Sequence, residues 1–269
     1  MKTYFVDSFT KEHFKGNPAA VCIVEGTLDN TLMQSIATEI GFSETAFIKE
    51  ISNNTYSIRF YTPKKEIPLC GHATLAASKI IFETTTLKHL KFINYENVEL
   101  NVQEADGKIV MQFPVYETEE IEVPKAVTDA LGIGSIVDTR YSPKNKIILI
   151  EINDPAELAN LKPNFLALIN SYSGINGVLV TAQSNNPHFD FHYRYFWPWA
   201  GTNEDPVTGG VQTFLTKYWA TILKKNKLKA FQSSMRTGTM ITELLGDKVL
   251  IYGEAIIVFE GEFYINMHC

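Results

Sequence analysis

One motif occurs twice in this chain of 269 residues and limits what the chain can fold into. The first copy spans residues 59–82 and reads RFYTPKKEIPLCGHATLAASKIIF, and the second spans residues 194–219 and reads RYFWPWAGTNEDPVTGGVQTFLTKYW. Each copy runs from an arginine through an aromatic segment to Glu-x-Pro-x-x-Gly, and then into apolar residues with helical spacing. The pattern predicts a strand, a turn, a glycine and a helix, twice over.

The glycine before each helix has a specific chemical consequence. Glycine has no Cβ, so the backbone N–H groups near Gly71 and Gly209 can approach a ligand closely. The N–H groups of the first helical turn have no acceptor inside the helix, and the helix dipole favours negative charge there. Each copy is therefore predicted to bind an anion, such as a carboxylate or a developing oxyanion. A single glycine of this kind is usually only a helix cap, and the repetition of the whole motif argues against that simpler interpretation.

The duplication extends beyond the motif to its flanks. Helices are predicted at 29–40, ended by Gly41, and at 164–171, and each half has a hairpin at its end, 98–113 and 240–252. We therefore predict an α+β protein of two similar lobes. The first lobe covers residues 1–115 and the second covers 116–254. The C-terminal residues 255–269 are predicted to contain a strand pair, 255–259 and 262–265, and to cross back to complete the first lobe.

Composition excludes several classes of function. The formal net charge of −6 and the lack of a basic block argue against nucleic-acid binding. No apolar stretch reaches the roughly 18 residues that a membrane span requires, and the N-terminus has no signal-peptide pattern. The three cysteines, Cys22, Cys70 and Cys269, show no C-x-x-C spacing, so the expected location is a reducing cytoplasm.

Four ordered motifs carry a resemblance to a known family. They are FKGNPAAV at 14–21, SETAF at 43–47, CGHAT at 70–74 and EDPVTG at 204–209, and the pattern FQSSMRTG follows at 231–238. In this order the chain resembles the PhzF family of phenazine biosynthesis-like proteins over nearly its whole length. The resemblance implies the diaminopimelate epimerase-like fold, with two pseudo-symmetric lobes, each a β-barrel-like sheet around a central helix.

The resemblance also implies an activity and its residues. It implies a cofactor-independent isomerase that moves a proton on a small amino or hydroxy carboxylic acid and needs no metal. The expected partner is a small carboxylate-bearing substrate, with no nucleic acid and no membrane, and the expected assembly is a homodimer. Glu44 matches the general acid/base, and His72 and Asp205 match polar residues that hold the substrate. The predicted substrate-binding residues are Asn17, Gly71, Ala73, Gly209 and Gly210.

The surroundings of Glu44 predict its protonation behaviour. Glu44 stands at the start of a predicted strand and is flanked by Phe42, Ala46 and Phe47. Because burial disfavours a charged carboxylate, partial desolvation is expected to raise the pKa of Glu44 towards neutrality. A base that both removes and returns a proton needs such a pKa.

The chain also departs from the family pattern. Gly210 stands where the family usually has serine, which removes one expected substrate contact. Related epimerases and racemases use two cysteines, and the matching positions here hold Cys70 and Thr208, so Cys70 is interpreted as a small buried residue. His188 and His192 are a weak metal pair without a third ligand. The alternatives left open are a non-catalytic small-molecule- or partner-binding relative, and a one-base epimerase or dehydratase.

Overall fold

The structure, a computed structural model, describes residues 1–265 as two compact units. The first unit contains Met1–Gln112 together with the C-terminal segment from Ile251, and the second contains Phe113–Leu250. Residues 266–269, which include Cys269 and the end of the predicted segment 255–269, lie outside the described residues. No helix within the described part of the chain is long and apolar enough to cross a membrane.

The first unit begins at the N-terminus and alternates strands with two helices. Its elements are β1 (Lys2–Ser8), β2 (Asn17–Ile23), α1 (Asn30–Ile40), β3 (Glu44–Ser52), β4 (Thr55–Tyr61), β5 (Glu66–Ile67), α2 (Gly71–Thr84), β6 (His89–Ile93), β7 (Glu99–Ala105) and β8 (Lys108–Pro114). Sequence capping signals set the bounds of α1, because Asp29 accepts a hydrogen bond from the Leu32 N–H and Gly41 adopts the left-handed conformation that ends the helix.

The second unit follows with more and shorter elements. They are β9 (Glu119–Glu120), α3 (Lys125–Leu131), β10 (Asp138–Ser142), β11 (Ile147–Glu151), α4 (Pro155–Asn160), α5 (Phe165–Ser171), β12 (Gly177–Gln183), β13 (Phe191–Trp197), β14 (Thr202–Glu204), α6 (Gln212–Leu223), β15 (Lys227–Gln232), β16 (Gly238–Leu245) and β17 (Lys248–Gly253). The short helices α3 and α4 were not predicted from the sequence. A last strand, β18 (Ala255–Glu262), belongs to the first unit.

Strand pairing repeats in the same order in the two units. In the first, β1–β2 is antiparallel, β2–β3 parallel, β3–β4 and β4–β5 antiparallel, β4–β6 parallel and β6–β7 antiparallel. In the second, β10–β11 is antiparallel, β11–β12 parallel, β12–β13 and β13–β14 antiparallel, β13–β15 parallel and β15–β16 antiparallel. The predicted α+β duplication is therefore present at the level of strand order and direction.

An arginine–glutamate pair fixes the duplicated turn in each unit. In the first, Nε and Nη2 of Arg59 donate to the two carboxylate oxygens of Glu66 at 2.7 and 2.6 Å. In the second, the same atoms of Arg194 donate to Glu204 at 2.7 and 2.8 Å. Two parallel bonds of this kind fix geometry as well as energy. The arginine and the glutamate of each motif copy therefore hold the strand and the turn together ahead of the helix.

Each unit has its own hydrophobic core. Helix α2 packs against β1, β2, β3 and β18, and its buried face is nearly continuous. The core of the second unit gathers aliphatic side chains from α3, β11 and β12 around Phe196. A helix enclosed by strands on several sides buries almost its whole surface, which explains why every residue of α2 from His72 to Ser78 is buried.

One expectation about the C-terminus is wrong. Residues 255–259 and 262–265 were expected to be two strands, whereas β18 is a single strand from Ala255 to Glu262. Strand β1 pairs with β18 along its whole length, from Lys2 opposite Glu262 to Ser8 opposite Ala255, and a bulge between Phe5 and Val6 absorbs the mismatch. Because a partner is present throughout, the chain has no reason to turn at Gly261.

Candidate active site

Glu44 is the first residue of β3 and lies in the interior of the first unit. The parallel pairing of β2 with β3 places Glu44 opposite Ala19, close to the start of both strands. Its side chain is buried, with 5% of the residue exposed. A carboxylate is rarely buried to this extent unless a partner compensates it.

That partner is His72, in the first turn of α2. The helix begins at Gly71, and Cys70 occupies the N-cap position without a side-chain capping bond. The Ser8 hydroxyl donates to the His72 carbonyl at 2.8 Å, and the Thr74 hydroxyl donates to the Cys70 carbonyl at 2.7 Å. The Ser8 bond attaches the start of α2 to β1, the Thr74 bond lies within the first turn of the helix, and together they fix the backbone that carries the imidazole.

Both ring nitrogens of His72 have close neighbours. Nε2 lies 3.1 Å from Oε2 of Glu44 and 3.5 Å from the Ser43 hydroxyl. On the other side of the ring, Nδ1 lies 3.2 Å from Nδ2 of Asn17 and 3.4 Å from Sγ of Cys70. Three sequence motifs of the first unit, at 14–21, 43–47 and 70–74, therefore meet at one buried imidazole.

Opposing effects set the protonation of Glu44 and His72. Burial acts first, raising the pKa of Glu44 and lowering the pKa of His72. For Glu44, the positive charge of His72 and the hydrogen bonds from His72 and Ser43 outweigh burial, so its pKa lies below the usual value of 4.5. For His72, the electrostatic interactions and hydrogen bonds with Cys70 and Glu44 outweigh burial, so its pKa lies well above 6.5. The prediction of a raised pKa for Glu44 is therefore wrong, because desolvation was weighed without the facing imidazolium.

Cys70 is buried, as expected, but it is more than a small packing residue. Burial raises the pKa of its thiol above the usual value of 9.0, and the nearby charge of His72 opposes that rise. Its sulfur contacts the imidazole whose other nitrogen faces Glu44. The interpretation of Cys70 as a small buried residue is confirmed but incomplete, since the sequence does not show that the sulfur lies beside His72.

The loop before Asn17 explains the spacing of its motif. Gly16 has φ +68°, and a Cβ there would lie 2.1 Å from the Ser8 carbonyl oxygen, so only glycine fits. The Asp7 carboxylate accepts a hydrogen bond from the Phe14 N–H at 2.7 Å and holds the loop from the other side. Asn17 is fully buried, with its side-chain amide directed at His72.

The second unit holds its own polar turn ahead of α6. Asp205 is buried, and its carboxylate accepts a hydrogen bond from the Thr208 hydroxyl. Gln232 bridges the turn, accepting from the Thr208 N–H at 2.7 Å and donating to the Asp205 carbonyl at 2.6 Å. Ser234 donates to the Pro206 carbonyl at 2.5 Å. The pattern at 231–238 thus has a structural role in the second unit, because it clamps the turn that carries Asp205.

The predicted glycines of the second unit lie in the lead-in to α6. The N–H of Gln212 donates to the Gly209 carbonyl at 3.0 Å, and α6 starts at Gln212. Gly210 is exposed, and a Cβ added there would meet nothing within 4 Å. The backbone at Gly210 therefore does not itself require glycine.

Comparison with known proteins decides the family. The family model described as phenazine biosynthesis-like protein, PhzC-PhzF, matches residues 6–261. The chain belongs to this family. Phenazine biosynthesis-like domain-containing protein 1 of Mus musculus is 37% identical over 280 residues, covering 96% of this chain and 97% of the relative. An uncharacterized isomerase of Halalkalibacterium halodurans is 37% identical over 266 residues, covering 97% of this chain and 98% of the relative.

A solved structure agrees with the family assignment. The crystal structure of a PhzF family protein of Enterococcus faecalis has a TM-score of 0.92 and 34% sequence identity, covering 98% of this chain and 99% of the other. The chain thus has the α+β, diaminopimelate epimerase-like fold of the PhzF family, which confirms the predicted fold class.

The structure brings together part of the predicted PhzF-type site. Within the first unit it gathers Glu44, His72 and Asn17, with Gly71 and Ala73 in the first turn of α2. Within the second unit it gathers Asp205, Gly209 and Gly210 in one turn. Sequence reasoning missed the supporting residues Ser8, Ser43 and Gln232. Ser43 and Gln232 lie inside the motifs at 43–47 and 231–238, which is the signal that could have found them, and Ser8 lies in no quoted motif.

The weak histidine pair has an ordinary structural explanation. The two ring nitrogens of His192 lie 3.1 Å from the Ser184 hydroxyl and 3.2 Å from the Ser233 hydroxyl. His188 is exposed and its backbone N–H donates to Asn186. Among residues 1–265, this pair is not part of any group with metal-ligand geometry.

Proposed function

We propose that this protein is a cofactor-independent isomerase that moves a proton on a small amino or hydroxy carboxylic acid, with Glu44 as the general acid and base. One observation carries the proposal: a carboxylate buried in the first unit faces a buried imidazole at 3.1 Å. Other family members bear names that agree with the reaction class, including the uncharacterized isomerase of Halalkalibacterium halodurans.

The charge state of the pair suits a base. With the pKa of Glu44 lowered and the pKa of His72 raised, the resting pair at neutral pH is carboxylate and imidazolium. A carboxylate without a proton can accept one from a carbon acid directly. Since burial opposes its negative charge, Glu44 becomes a stronger base as soon as the ligand draws the hydrogen bond of His72 away. The imidazolium is then the group that sets the basicity of Glu44.

The proposed step conserves the proton. Glu44 removes a proton from a carbon next to a carboxylate or within a conjugated system, and the electron pair left behind moves into that system. Glu44 then returns the same proton to a second carbon of the ligand. The N–H groups in the first turn of α2, around Gly71 and Ala73, would stabilise the negative charge of the intermediate.

His72 and Asn17 are proposed to position the substrate relative to the carboxylate of Glu44. As an imidazolium, His72 donates from both nitrogens, and the Asn17 amide can rotate to present either oxygen or nitrogen to Nδ1. In the second unit, Asp205, Gly209 and Gly210 are proposed as further ligand contacts. The support for these three residues is their match to the family motif and the rigid support that Gln232 gives the Asp205 turn.

The test is hydrogen exchange with solvent. Wild-type protein and Glu44→Gln are incubated in D₂O with a panel of small cyclic amino and hydroxy acids, and deuterium incorporation is followed by mass spectrometry. Glutamine keeps the shape but cannot accept the proton, so we expect a loss of about 10⁴-fold, the upper end for general acid–base groups. Glu50→Gln is the matched control, because Glu50 lies exposed on the same strand. Exchange by Glu44→Gln within roughly tenfold of wild type would refute the role of Glu44.

A further inference from the structure

Cys70 occupies a helix position that usually carries a different kind of side chain. It is the N-cap of α2, where serine, threonine, aspartate and asparagine are preferred because their oxygens accept a hydrogen bond from the first turn. The Cys70 sulfur makes no capping bond, and the Ala73 N–H has only a weak influence on its thiol. The side chain is nevertheless buried. The start of α2 therefore lacks a side-chain cap, and the sulfur is available for another contact.

That contact is with the ring of His72. The Cys70 sulfur lies 3.4 Å from Nδ1 and 3.9 Å from Nε2, so it is on the Nδ1 side of the imidazole. Glu44 faces the other nitrogen, with its Oε2 atom 3.1 Å from Nε2. The acid and the sulfur therefore serve different nitrogens of the same ring.

The sulfur is the acceptor that the Nδ1 side of an imidazolium requires. A protonated histidine donates from both nitrogens. Nε2–H faces the carboxylate of Glu44, whereas the nearest atoms to Nδ1 are the Asn17 amide nitrogen at 3.2 Å and the Cys70 sulfur. An amide nitrogen is a donor and cannot accept, while a thiol sulfur is a weak acceptor. In this arrangement the Nδ1–H of His72 therefore donates to Cys70.

The thiol acts as a neutral group. Burial raises the pKa of Cys70 above 9.0, so near neutral pH the sulfur keeps its own proton and accepts through a lone pair. Among the described residues, only Glu44 and Cys70 act on the charge of His72. The strands β1 and β2 face His72 with the uncharged Ser8, which donates to its carbonyl, and Asn17. The imidazolium thus has one charged partner and one neutral acceptor.

We propose that Cys70 is a positioning residue for the reaction, whose sulfur accepts the hydrogen bond of Nδ1–H, keeps His72 as an imidazolium and directs Nε2–H at Glu44. The sulfur takes no proton from the substrate and forms no bond to it, so Glu44 remains the only base. The consequence for turnover rests on the proposed function, because it acts through the basicity of Glu44. The hydrogen bond itself is tested without turnover.

The first experiment follows the proton on His72. The ¹³Cε1 resonances of the histidines are recorded by NMR between about pH 5 and 9, a range that covers ordinary and raised histidine pKa values, and His72→Gln identifies the signal. Cys70→Ala removes the acceptor, so we expect His72 to lose its proton at a lower pH than in wild type. Cys22→Ala is the matched control, because Cys22 is also buried in the first unit and lies 3.6 Å from the Thr3 hydroxyl. In the control His72 should titrate as in wild type.

An unchanged titration of His72 in folded Cys70→Ala would overturn the proposal and assign the acceptor to the Asn17 amide. Circular dichroism establishes folding. If Cys70→Ala does not fold, the serine variant described next decides by the same measurement.

Cys70→Ser separates the contact of the sulfur from the capping of the helix. A serine oxygen lies closer to its Cβ than a sulfur does, so it would lie farther than 3.4 Å from Nδ1, outside the range of about 2.7–3.2 Å for an N–H to oxygen bond. At an N-cap it accepts from the first turn instead, which should raise Tm by about 2–4 °C over Cys70→Ala. We expect the serine variant to share the early loss of the His72 proton. A serine variant in which His72 titrates as in wild type would overturn the specific role of the sulfur.

The second experiment is the pH profile of deuterium exchange at saturating ligand. Along the alkaline limb the rate falls as His72 loses its proton, so this limb should move to lower pH in Cys70→Ala and stay in place in Cys22→Ala. One neutral hydrogen bond changes an equilibrium by roughly 2- to 10-fold, and the alkaline rate of Cys70→Ala relative to its acidic rate should fall by about that factor. A purely structural role would lower the rate equally at every pH.

The two experiments fail in different ways. A shifted NMR titration with an unshifted rate profile would overturn the role of Cys70 in turnover and leave its hydrogen bond to His72 standing. Absence of exchange in wild type would count against the proposed isomerase, while the NMR titration would still decide whether the sulfur holds the proton of His72.

Discussion

The two units share a scaffold and differ in what they place at the start of the helix. In each unit, an arginine–glutamate pair, Arg59–Glu66 or Arg194–Glu204, holds the turn of the motif. The first unit follows its turn with Cys70 and His72, and a buried acid faces the imidazole. The second follows its turn with Thr208, whose hydroxyl donates to Asp205. Duplication preserved the support of the turn, while the residues around the glycine determine whether a titratable cluster forms.

The largest expected difference between the units is the stability that each arginine–glutamate pair contributes. Arg194 also donates to the carbonyls of Leu158 and Leu161, and its side chain is 10% exposed against 25% for Arg59. Breaking a buried pair leaves an uncompensated charge and costs about 3–5 kcal/mol, whereas exposed pairs contribute about 1 kcal/mol or less. Arg194→Met should therefore lower stability much more than Arg59→Met. Urea unfolding of wild type and of the two variants, which carry the same substitution, measures the loss in free energy of unfolding at each position. Equal losses in the two variants would contradict the prediction.

The next difference is the sign of a pH effect at two histidines. The pKa of His72 is raised, so its stabilising contribution is complete below 6.5 and is lost as pH rises towards its folded value. Burial lowers the pKa of His192 below 6.5, so its contribution is lost as pH falls through that value. The stability of wild type relative to His72→Gln should decline above about pH 6.5, and relative to His192→Gln it should decline below about pH 6.5.

Thermal unfolding of wild type and of both variants is measured between about pH 5 and 8, the range in which histidines titrate. The difference in stability between wild type and each variant, plotted against pH, gives one slope for each histidine. The two variants serve as controls for each other, since each removes one imidazole and leaves the other. A stability of wild type relative to His72→Gln that rises with pH would show that the imidazolium of His72 is not stabilised by Glu44 in the folded protein.

The smallest expected effect is at Gly210. An added side chain meets nothing within 4 Å, so Gly210→Ser should change the free energy of unfolding by no more than about 0.5 kcal/mol. The substitution introduces the serine hydroxyl that the resemblance to the family predicts at this position. We expect a folded protein in which exchange on hydroxylated acids changes and exchange on other acids does not. A destabilised variant would show that the turn depends on glycine in a way that the open space does not reveal.

Much of the fold followed from local patterns. The cap at Asp29, the end of α1 at Gly41 and the repeated hairpins depend on neighbouring residues, which the sequence shows directly. The pKa of Glu44 could not be predicted in this way, because its sign depends on His72, which reaches it only in the folded unit. The single strand β18 likewise depends on its pairing with β1, at the other end of the chain.

The central claim is that the base is Glu44 of the first unit and not Asp205 of the second. The most direct measurement is the rate of deuterium exchange at saturating ligand for Glu44→Gln and for Asp205→Asn, with both proteins checked for folding. The account predicts that Glu44→Gln loses about 10⁴-fold and that Asp205→Asn requires more ligand but retains exchange. Exchange retained by Glu44→Gln and abolished in Asp205→Asn would contradict it and make Asp205 the base.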